Sequence, residues 1–129
     1  MSLRCLIIDD SPCFLAAAHR LLEKQGIAVV GVASTRTAAL QGAAQLRPDV
    51  ILLDIDLGGE SGLELARQLH GEAGRNASAM ILISTHSEQD YAELIAASPA
   101  IGFLSKNAVS AAAIQDILAR YAASQQRPD

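Results

Sequence analysis

Short aliphatic runs alternate with helix-like segments along almost the whole chain, and this alternation restricts the fold more than any other feature of the sequence. We predict strands over residues 3–8, 27–33, 50–53, 79–83 and 101–104. Helices are predicted from Ser11-Pro12 to near Gly26 and over residues 34–46, 63–69, 91–97 and 109–122. Ser11 is a good N-cap residue, and proline is favoured in the first helical turn. The sequence therefore predicts five strands and five helices in strict alternation.

The predicted strands are continuous apolar runs. Strands of this kind are buried on both faces, which is typical of a parallel sheet with a helix after each strand. The length of 129 residues fits one domain. We therefore predict the α/β class, with a doubly wound five-stranded parallel sheet and five helices in a single domain over residues 1–123. Residues 124–129 are predicted to form a polar C-terminal tail.

Composition excludes several classes of function. Lys and Arg total 10 and Asp and Glu total 14, which gives a net charge of −4, and no basic cluster occurs. We therefore expect no direct nucleic-acid contact by this domain. No apolar run approaches the roughly 18 residues of a membrane span, and no signal peptide is visible, so no membrane is expected. Cys5 and Cys13 have the spacing of neither a disulfide framework nor a metal site, which favours a reducing cytoplasm.

Charged and hydroxyl-bearing residues stand directly after four of the predicted strands. They are Asp9 and Asp10 after the first, Asp54 after the third, Ser84 and Thr85 after the fourth, and Lys106 after the fifth. In doubly wound sheets, ligands bind beyond the carboxyl ends of the strands. Neighbouring carboxylates repel one another unless a cation lies between them, and Mg²⁺ with oxygen ligands fits best. The lysine and the hydroxyl groups add an anion site at the same edge, for which phosphate is the expected ligand.

Four segments at these strand ends carry a resemblance to a known family. They read IIDDS at residues 7–11, ILLDIDL at 51–57 with Gly62 after it, ILIST at 81–85 and GFLSK at 102–106. In this order they resemble the receiver domain of bacterial two-component response regulators, over residues 3 to about 122. The stretch 84–88 is similar to receivers of the LuxR/NarL type. The resemblance implies a flavodoxin-like fold with strand order 2-1-3-4-5, and a cytoplasmic phosphorelay switch rather than a conventional enzyme.

The resemblance also implies a role for each carboxylate. Asp54 matches the phosphoacceptor, which receives a phosphoryl group from a histidine kinase or a histidine phosphotransfer protein. Asp10 and Asp54 match the direct Mg²⁺ ligands. Asp9 matches a carboxylate that reaches the metal through water. Asp56 matches the position whose backbone carbonyl completes the metal coordination.

The remaining matched residues bind the phosphoryl group or respond to it. Lys106 matches the lysine that pairs with the phosphoryl oxygens. Ser84 matches the hydroxyl residue that turns inward to bond them, and Thr85 is a second hydroxyl beside it. Phe103 matches the aromatic switch residue, with a plain core aromatic as the alternative. The output face is then the fourth helix, the fifth strand and the fifth helix, through which a phosphorylation-dependent homodimer is an implied partner.

Two places depart from the family pattern. Residues 55–62 read IDLGGESG, where many receivers carry a methionine-proline pair, and we expect the two glycines to make this loop more mobile. Asn107 follows Lys106 in place of the common proline, so a cis peptide is not expected there. Asp56 and His86 each lie two positions beyond a matched residue, where the family tunes water access. We therefore hypothesise that Asp56 alters the phosphoryl lifetime, and we interpret His86 as a solvated loop residue.

Two other functions fit parts of the pattern. A haloacid-dehalogenase-type phosphatase uses an aspartate-x-aspartate motif like the one at residues 54–56, but Gly58 stands where that family has Thr or Val. Its acidic pair also lies downstream, whereas Asp9-Asp10 lies upstream. A pseudo-receiver that binds partners without phosphorylation is the second alternative. The chain is either a stand-alone receiver or the receiver part of a longer DNA-binding regulator, and motifs do not decide between these.

Overall fold

A five-stranded sheet forms the centre of the computed structural model, which describes residues 3–73 and 77–125. Its strands are β1 (Arg4–Ile8), β2 (Ala28–Ala33), β3 (Val50–Asp54), β6 (Ala79–Ser84) and β7 (Gly102–Ser105). They lie in the order β2-β1-β3-β6-β7, and every neighbouring pair is parallel. Counted within this sheet alone, the order is the predicted 2-1-3-4-5. The α/β doubly wound fold is confirmed.

Helices cover both faces of this sheet. In the described part of the chain they are α1 (Pro12–Lys24), α2 (Arg36–Leu46), α3 (Gly62–Ala73), α4 (Ala92–Ala96) and α5 (Ala111–Gln125). One buried cluster lies between the sheet and α2, α3 and α4, and a second lies between the sheet and α1 and α5. Each fully buried Leu or Ile in such clusters contributes roughly 1.5–3 kcal/mol of transfer free energy. The two clusters hold the sheet rigidly, which fixes the positions of the strand ends.

Strand register brings the site residues to one edge of the sheet. Ile8 pairs with Leu53 across β1 and β3, and Asp54 pairs with Ile83 across β3 and β6. Asp9, which follows Ile8, therefore lies beside Asp54. The neighbouring strands β6 and β7 end at the same edge of the sheet, with Ser84 paired to Ser105.

Side-chain caps begin two of the helices where the sequence predicts them. Ser11 Oγ accepts a hydrogen bond from the Phe14 backbone N–H at 3.3 Å, and Thr35 Oγ1 accepts from Ala38 N–H at 3.1 Å. Each cap satisfies one of the N–H groups that a helix N-terminus leaves free. Helix α2 ends at Leu46, and the next residue, Arg47, caps it in a left-handed conformation with φ of 46°. The predicted boundaries of α1 and α2 therefore follow from local chemistry.

Three helices have boundaries that differ from the prediction. Helix α3 begins at Gly62 and continues to Ala73, and α4 is a short helix preceded by a 3₁₀ turn over Glu88–Tyr91. Helix α5 begins and ends later than predicted, because Lys106–Ala108 forms a separate 3₁₀ turn and Ser110 Oγ caps Ala113 N–H at 3.0 Å. Residues 124 and 125, predicted to lie in the tail, are helical. Residues 1–2 and 126–129 lie outside the described part.

A two-stranded hairpin replaces the loop that the sequence predicted to be mobile. Strands β4 (Asp56–Leu57) and β5 (Glu60–Ser61) pair in antiparallel orientation. Gly58 and Gly59 form the turn with φ of 55° and 89°. Two-residue hairpin turns with positive φ at both positions are favoured because their twist matches that of the strands, and glycine adopts them without strain. The glycine pair therefore allows this tight turn.

Among the described residues, no helix is both long and apolar enough to cross a bilayer.

Candidate functional site

Three of the predicted site residues, Asp9, Asp54 and Lys106, contact one another at the carboxyl ends of the strands, with Ser84 at the end of the neighbouring strand. Lys106 Nζ lies 2.7 Å from Asp9 Oδ2 and 3.2 Å from Asp54 Oδ2. Asp9, Asp54 and Ser84 are buried, with exposed fractions of 0%, 4% and 2%. Buried ionic groups are costly unless they are paired. The site is therefore a small buried charge cluster at the sheet edge.

Asp9 connects the first strand to the first helix and to the lysine. Its backbone N–H donates to Ala33 O at 3.0 Å, which continues the ladder between β1 and β2. Its Oδ1 accepts from the Ser11 N–H at 2.8 Å, while Oδ2 forms the ion pair with Lys106. The Asp9 carboxylate therefore holds both the start of α1 and the ammonium group.

Asp54 is held at the end of β3 by the segment that follows it. Its Oδ1 accepts from Asp56 N–H at 3.2 Å, and its Oδ2 accepts from Lys106 Nζ. Ile55 N–H donates to Ile83 O at 3.0 Å, and Gly62 N–H donates to Ile55 O at 2.7 Å. Gly62 therefore lies so close to Asp54 that no side chain fits at position 62, because a Cβ there would lie 1.9 Å from the Asp54 carbonyl oxygen.

Burial and charge act on the ionisation of both partners in this pair. Burial, together with repulsion from Asp9, raises the pKa of Asp54 from 3.8 to about 6, against the opposing attraction of Lys106. Burial lowers the pKa of Lys106, but the contacts with Asp9 and Asp54 outweigh burial and raise it above 10.5. The lysine therefore stays charged at neutral pH, and the Asp54 carboxylate would be stabilised by a further cation.

Three carboxylates form a donor set that fits Mg²⁺. Asp9, Asp10 and Asp54 each offer one oxygen within 4.8 Å of the others. Asp9 Oδ2 is buried and, apart from its ion pair, has no hydrogen-bond partner among the described residues. Gly58 leaves space beside Asp10, since a Cβ there would lie 3.3 Å from Asp10 Oδ2. All of these donors are hard oxygen ligands, which Mg²⁺ prefers.

The predicted phosphate-binding hydroxyl groups lie at the strand end but outside the charge cluster. Ser84 Oγ accepts from His86 N–H at 3.0 Å, so it closes its own turn. Thr85 is exposed. In residues 3–73 and 77–125, no hydrogen bond joins either hydroxyl to Asp54 or Lys106. The structure therefore brings together Asp9, Asp10, Asp54 and Lys106, with Ser84 beside them.

Asp56 and Phe103 lie near the charge cluster, but their side chains are not among the ion pairs that form it. Asp56 contributes its backbone N–H to Asp54, and its side chain is exposed beside the site. Phe103 is half-buried in β7 and packs with Tyr91 and Ile95 against the cluster under α2, α3 and α4. Phe103 is therefore neither fully in the core nor on the surface.

Sequence reasoning missed one residue of this site. The Phe14 ring centroid lies 5.1 Å from Lys106 Nζ. Its position in the first turn of a helix that starts after Asp9-Asp10 is a signal for such a role. His86, interpreted as a solvated loop residue, is exposed, and its ring meets Tyr91 edge-on at 6.0 Å.

The peptide bonds of the described residues are all trans, including the one that joins Lys106 to Asn107. Lys106 therefore reaches the carboxylates without a cis peptide, from a 3₁₀ turn that begins at the lysine itself.

The family model of the response regulator receiver domain matches residues 5–119 of the sequence. The chain belongs to this family. A receiver domain is a signalling switch of two-component systems. The family assignment sets aside the phosphatase interpretation of the motif at residues 54–56.

Several regulators are similar to this receiver domain. It is 36% identical over 106 residues to the nitrate/nitrite response regulator protein homolog of Haemophilus influenzae. It is 29% identical over 104 residues to the DNA-binding transcriptional activator EvgA of Escherichia coli K12. Each alignment covers 81% of this chain and 50% of the relative, so the chain spans about half the length of these relatives.

The fold matches that of a solved receiver domain throughout. The signal receiver domain of the response regulator NarL from Mycobacterium tuberculosis superposes with a TM-score of 0.75 at 28% sequence identity, covering 98% of each chain. In sequence and in fold, this receiver domain is therefore similar to the receiver domains of these regulators.

Proposed function

We propose that this receiver domain accepts a phosphoryl group on Asp54 from a histidine kinase or a histidine phosphotransfer protein. The observation that carries the proposal is the buried Asp54 carboxylate, which lies 3.2 Å from Lys106 Nζ and within 4.8 Å of oxygens of Asp9 and Asp10. A nucleophile, a cation and a metal donor set thus meet at one point. Phosphoryl transfer depends mainly on such positioning and charge neutralisation.

The proposed reaction is an exchange of one bond to phosphorus for another. An Asp54 carboxylate oxygen forms a new P–O bond while the P–N bond of phosphohistidine breaks. The electron pair leaves with the imidazole nitrogen, which takes a proton from solvent. Lys106 stays charged beside the attacking Asp54 carboxylate, so it would lie close to the incoming phosphoryl oxygens and offset the negative charge that builds up on them.

We propose the metal ligands that the resemblance implies. Asp10 and Asp54 would bind Mg²⁺ directly, Asp9 would act through water, and the Asp56 backbone carbonyl would complete the set. When bound, Mg²⁺ neutralises charge on the phosphoryl oxygens and on the crowded carboxylates. The exposed Asp10 provides the side from which the ion enters.

The switch is proposed to run from Ser84 to Phe103. Phosphorylation would give the Ser84 O–H a charged acceptor, whereas in the turn Ser84 Oγ itself accepts from the His86 N–H; Thr85 is a second hydroxyl. Movement of Ser84 leaves space toward which the half-buried Phe103 can turn. Phe103 lies in β7 between α4 and α5, so the output face would be these three elements, which a second phosphorylated copy could also contact.

The exposed Asp56 side chain is proposed to set the lifetime of the phosphoryl group. It lies beside the site mouth, where water must pass to reach phosphorus. The rate of dephosphorylation in Asp56→Asn tests this role, and an unchanged rate would contradict it.

Two-component receivers of this composition act in the reducing cytoplasm, and the free Cys5 and Cys13 fit that compartment. The domain itself contacts the kinase and the output partner rather than DNA.

Intact-mass spectrometry with acetyl phosphate tests the proposal. We expect one phosphoryl adduct that requires Mg²⁺, is absent in Asp54→Asn and is present in the control Asp116→Asn, whose carboxylate lies on the surface of α5. No adduct in the wild-type protein would leave a pseudo-receiver that binds partners without phosphorylation.

A further inference from the structure

The aromatic ring of Phe14 contacts Lys106 from the first turn of α1. Lys106 Nζ lies 5.1 Å from the ring centroid, within the ~6 Å range of a cation–π contact. We propose that Phe14 is a positioning residue for Lys106, which holds the ammonium group against Asp9 and Asp54 for phosphoryl transfer. The inference rests on the proposed function of Asp54 and assigns that site a residue from α1.

The ion pairs with Asp9 and Asp54 hold the Lys106 ammonium group, and the Phe14 ring adds a further contact on its side chain. A lysine has a flexible four-carbon stem, and its ammonium group lacks the directional fork of arginine. The backbone here leaves an edge strand directly into a 3₁₀ turn whose other residues, Asn107 and Ala108, are exposed. The carboxylates attract the ammonium, while the ring limits where the stem can run.

Hydrogen bonds, an ion pair and the ring contact connect Phe14, Lys106 and Asp9 to one another. Asp9 Oδ1 accepts from Ser11 N–H at 2.8 Å, and Ser11 Oγ accepts from Phe14 N–H at 3.3 Å. The Phe14 ring faces Lys106, and Lys106 Nζ forms an ion pair with Asp9 Oδ2 at 2.7 Å. The same carboxylate thus fixes both the helix turn that carries the ring and the ammonium that the ring faces.

The ring keeps its attraction when the charges in the site change. Phosphorylation of Asp54 replaces a carboxylate with a more highly charged group, and the partners of Lys106 change with it. The quadrupole of the Phe14 ring does not depend on that reaction. We therefore expect Phe14 to restrain the lysine both before and after phosphorylation.

Nuclear magnetic resonance can observe this contact directly, because Lys24 and Lys106 are the two lysines of the chain. Protein labelled with ¹³C-lysine gives two ε-methylene signals, and ring current from Phe14 should move that of Lys106 upfield of Lys24. We expect the upfield shift to vanish in Phe14→Leu and to persist in Phe14→Tyr. Phe14→Met serves as a second ringless variant if Phe14→Leu does not fold.

The same variants are then phosphorylated with acetyl phosphate and Mg²⁺. Because loss of the cation–π contact leaves the Lys106 ammonium less well positioned, we expect the ringless variants to react about threefold to tenfold more slowly. Phe14→Tyr should react at the wild-type rate. Leu15→Ala is the matched control, because Leu15 packs against the same cluster from the next position of α1. Its rate and its Lys106 signal should both stay near the wild-type values.

Two results would overturn the inference. An unchanged Lys106 signal in the ringless variants would show that the ring does not hold the lysine, and an unchanged rate would show that the contact does not position it. If the wild-type protein takes up no phosphoryl group, the proposed function fails instead. The ε-methylene signals alone then decide whether Phe14 holds Lys106.

Discussion

Asp9 and Lys106 form the shortest ion pair of the site, with 2.7 Å between Oδ2 and Nζ, although 97 positions separate them in the chain (106 − 9). The carboxylate is fully buried and the lysine side chain is 13% exposed. A buried pair of this kind contributes little net stability, but removal of one partner leaves the other charge uncompensated. The pair therefore makes the stability of the sheet edge depend on the residues of the candidate site.

Loss of the lysine should destabilise the metal-free protein and strengthen Mg²⁺ binding. We expect Lys106→Met to lower the free energy of unfolding in EDTA by about 3 kcal/mol, because Asp9 and Asp54 then lack their cation. The same change should tighten Mg²⁺ binding by about threefold to tenfold, since a competing positive charge is gone. Urea denaturation and a Mg²⁺ titration measure the two effects. The control Lys24→Met, at the exposed end of α1, should change neither quantity.

Neutralising Asp54 should change how stability depends on pH. The pKa of Asp54 is about 6 in the folded protein and near 3.8 when unfolded, so the folded state binds more protons between these values. The free energy of unfolding of the metal-free wild-type protein should therefore fall as pH rises from about 4 to about 6, by roughly 1–3 kcal/mol.

Asp54→Asn should lack this fall and be the more stable protein at pH 7. Denaturant titrations in EDTA at several pH values measure the difference, with Asp116→Asn as the surface control. Parallel pH profiles for the wild-type protein and Asp54→Asn would contradict the raised pKa.

A side chain at Gly62 should disrupt the support of Asp54. The Cβ of Gly62→Ala would lie 1.9 Å from the Asp54 carbonyl oxygen, so backbone must move, and we expect a loss of about 2–4 kcal/mol in stability. Gly71→Ala is the matched control in the same helix, with no atom within 4 Å of the new Cβ. It should gain roughly 0.5–1 kcal/mol, because alanine favours helix over glycine. Equal stabilities of the two variants would show that β3 and α3 do not approach this closely.

The hairpin turn provides a matched pair of variants for the metal site. Gly58→Ala would place its Cβ 3.3 Å from Asp10 Oδ2, whereas Gly59→Ala would contact nothing within 4 Å. Both positions have positive φ, so both variants should lose about 1 kcal/mol of stability. Only Gly58→Ala should also weaken Mg²⁺ binding, because it displaces the Asp10 carboxylate. A Mg²⁺ titration followed by calorimetry compares them, and equal affinities would remove Gly58 from the metal site.

Much of the fold follows from local patterns in the sequence. The aliphatic runs predict the five strands of the sheet, and Ser11 predicts the start of α1, because periodicity and capping involve residues only a few positions apart. Gly58-Gly59 is also a local signal, since two-residue hairpin turns favour glycine. Ser110 likewise marks the start of α5, which was predicted to begin earlier.

The sequence by itself determined which residues stand at the carboxyl ends of the strands, and parallel strands then bring Asp9, Asp54 and Lys106 to one edge. Only the tertiary structure decided the contacts among them. The Phe14 ring over Lys106 and the ion pairs of Lys106 with Asp9 and Asp54 depend on how the first helix and the strands pack together. Such packing sets distances between residues far apart in the chain, and a linear pattern carries no measure of those distances.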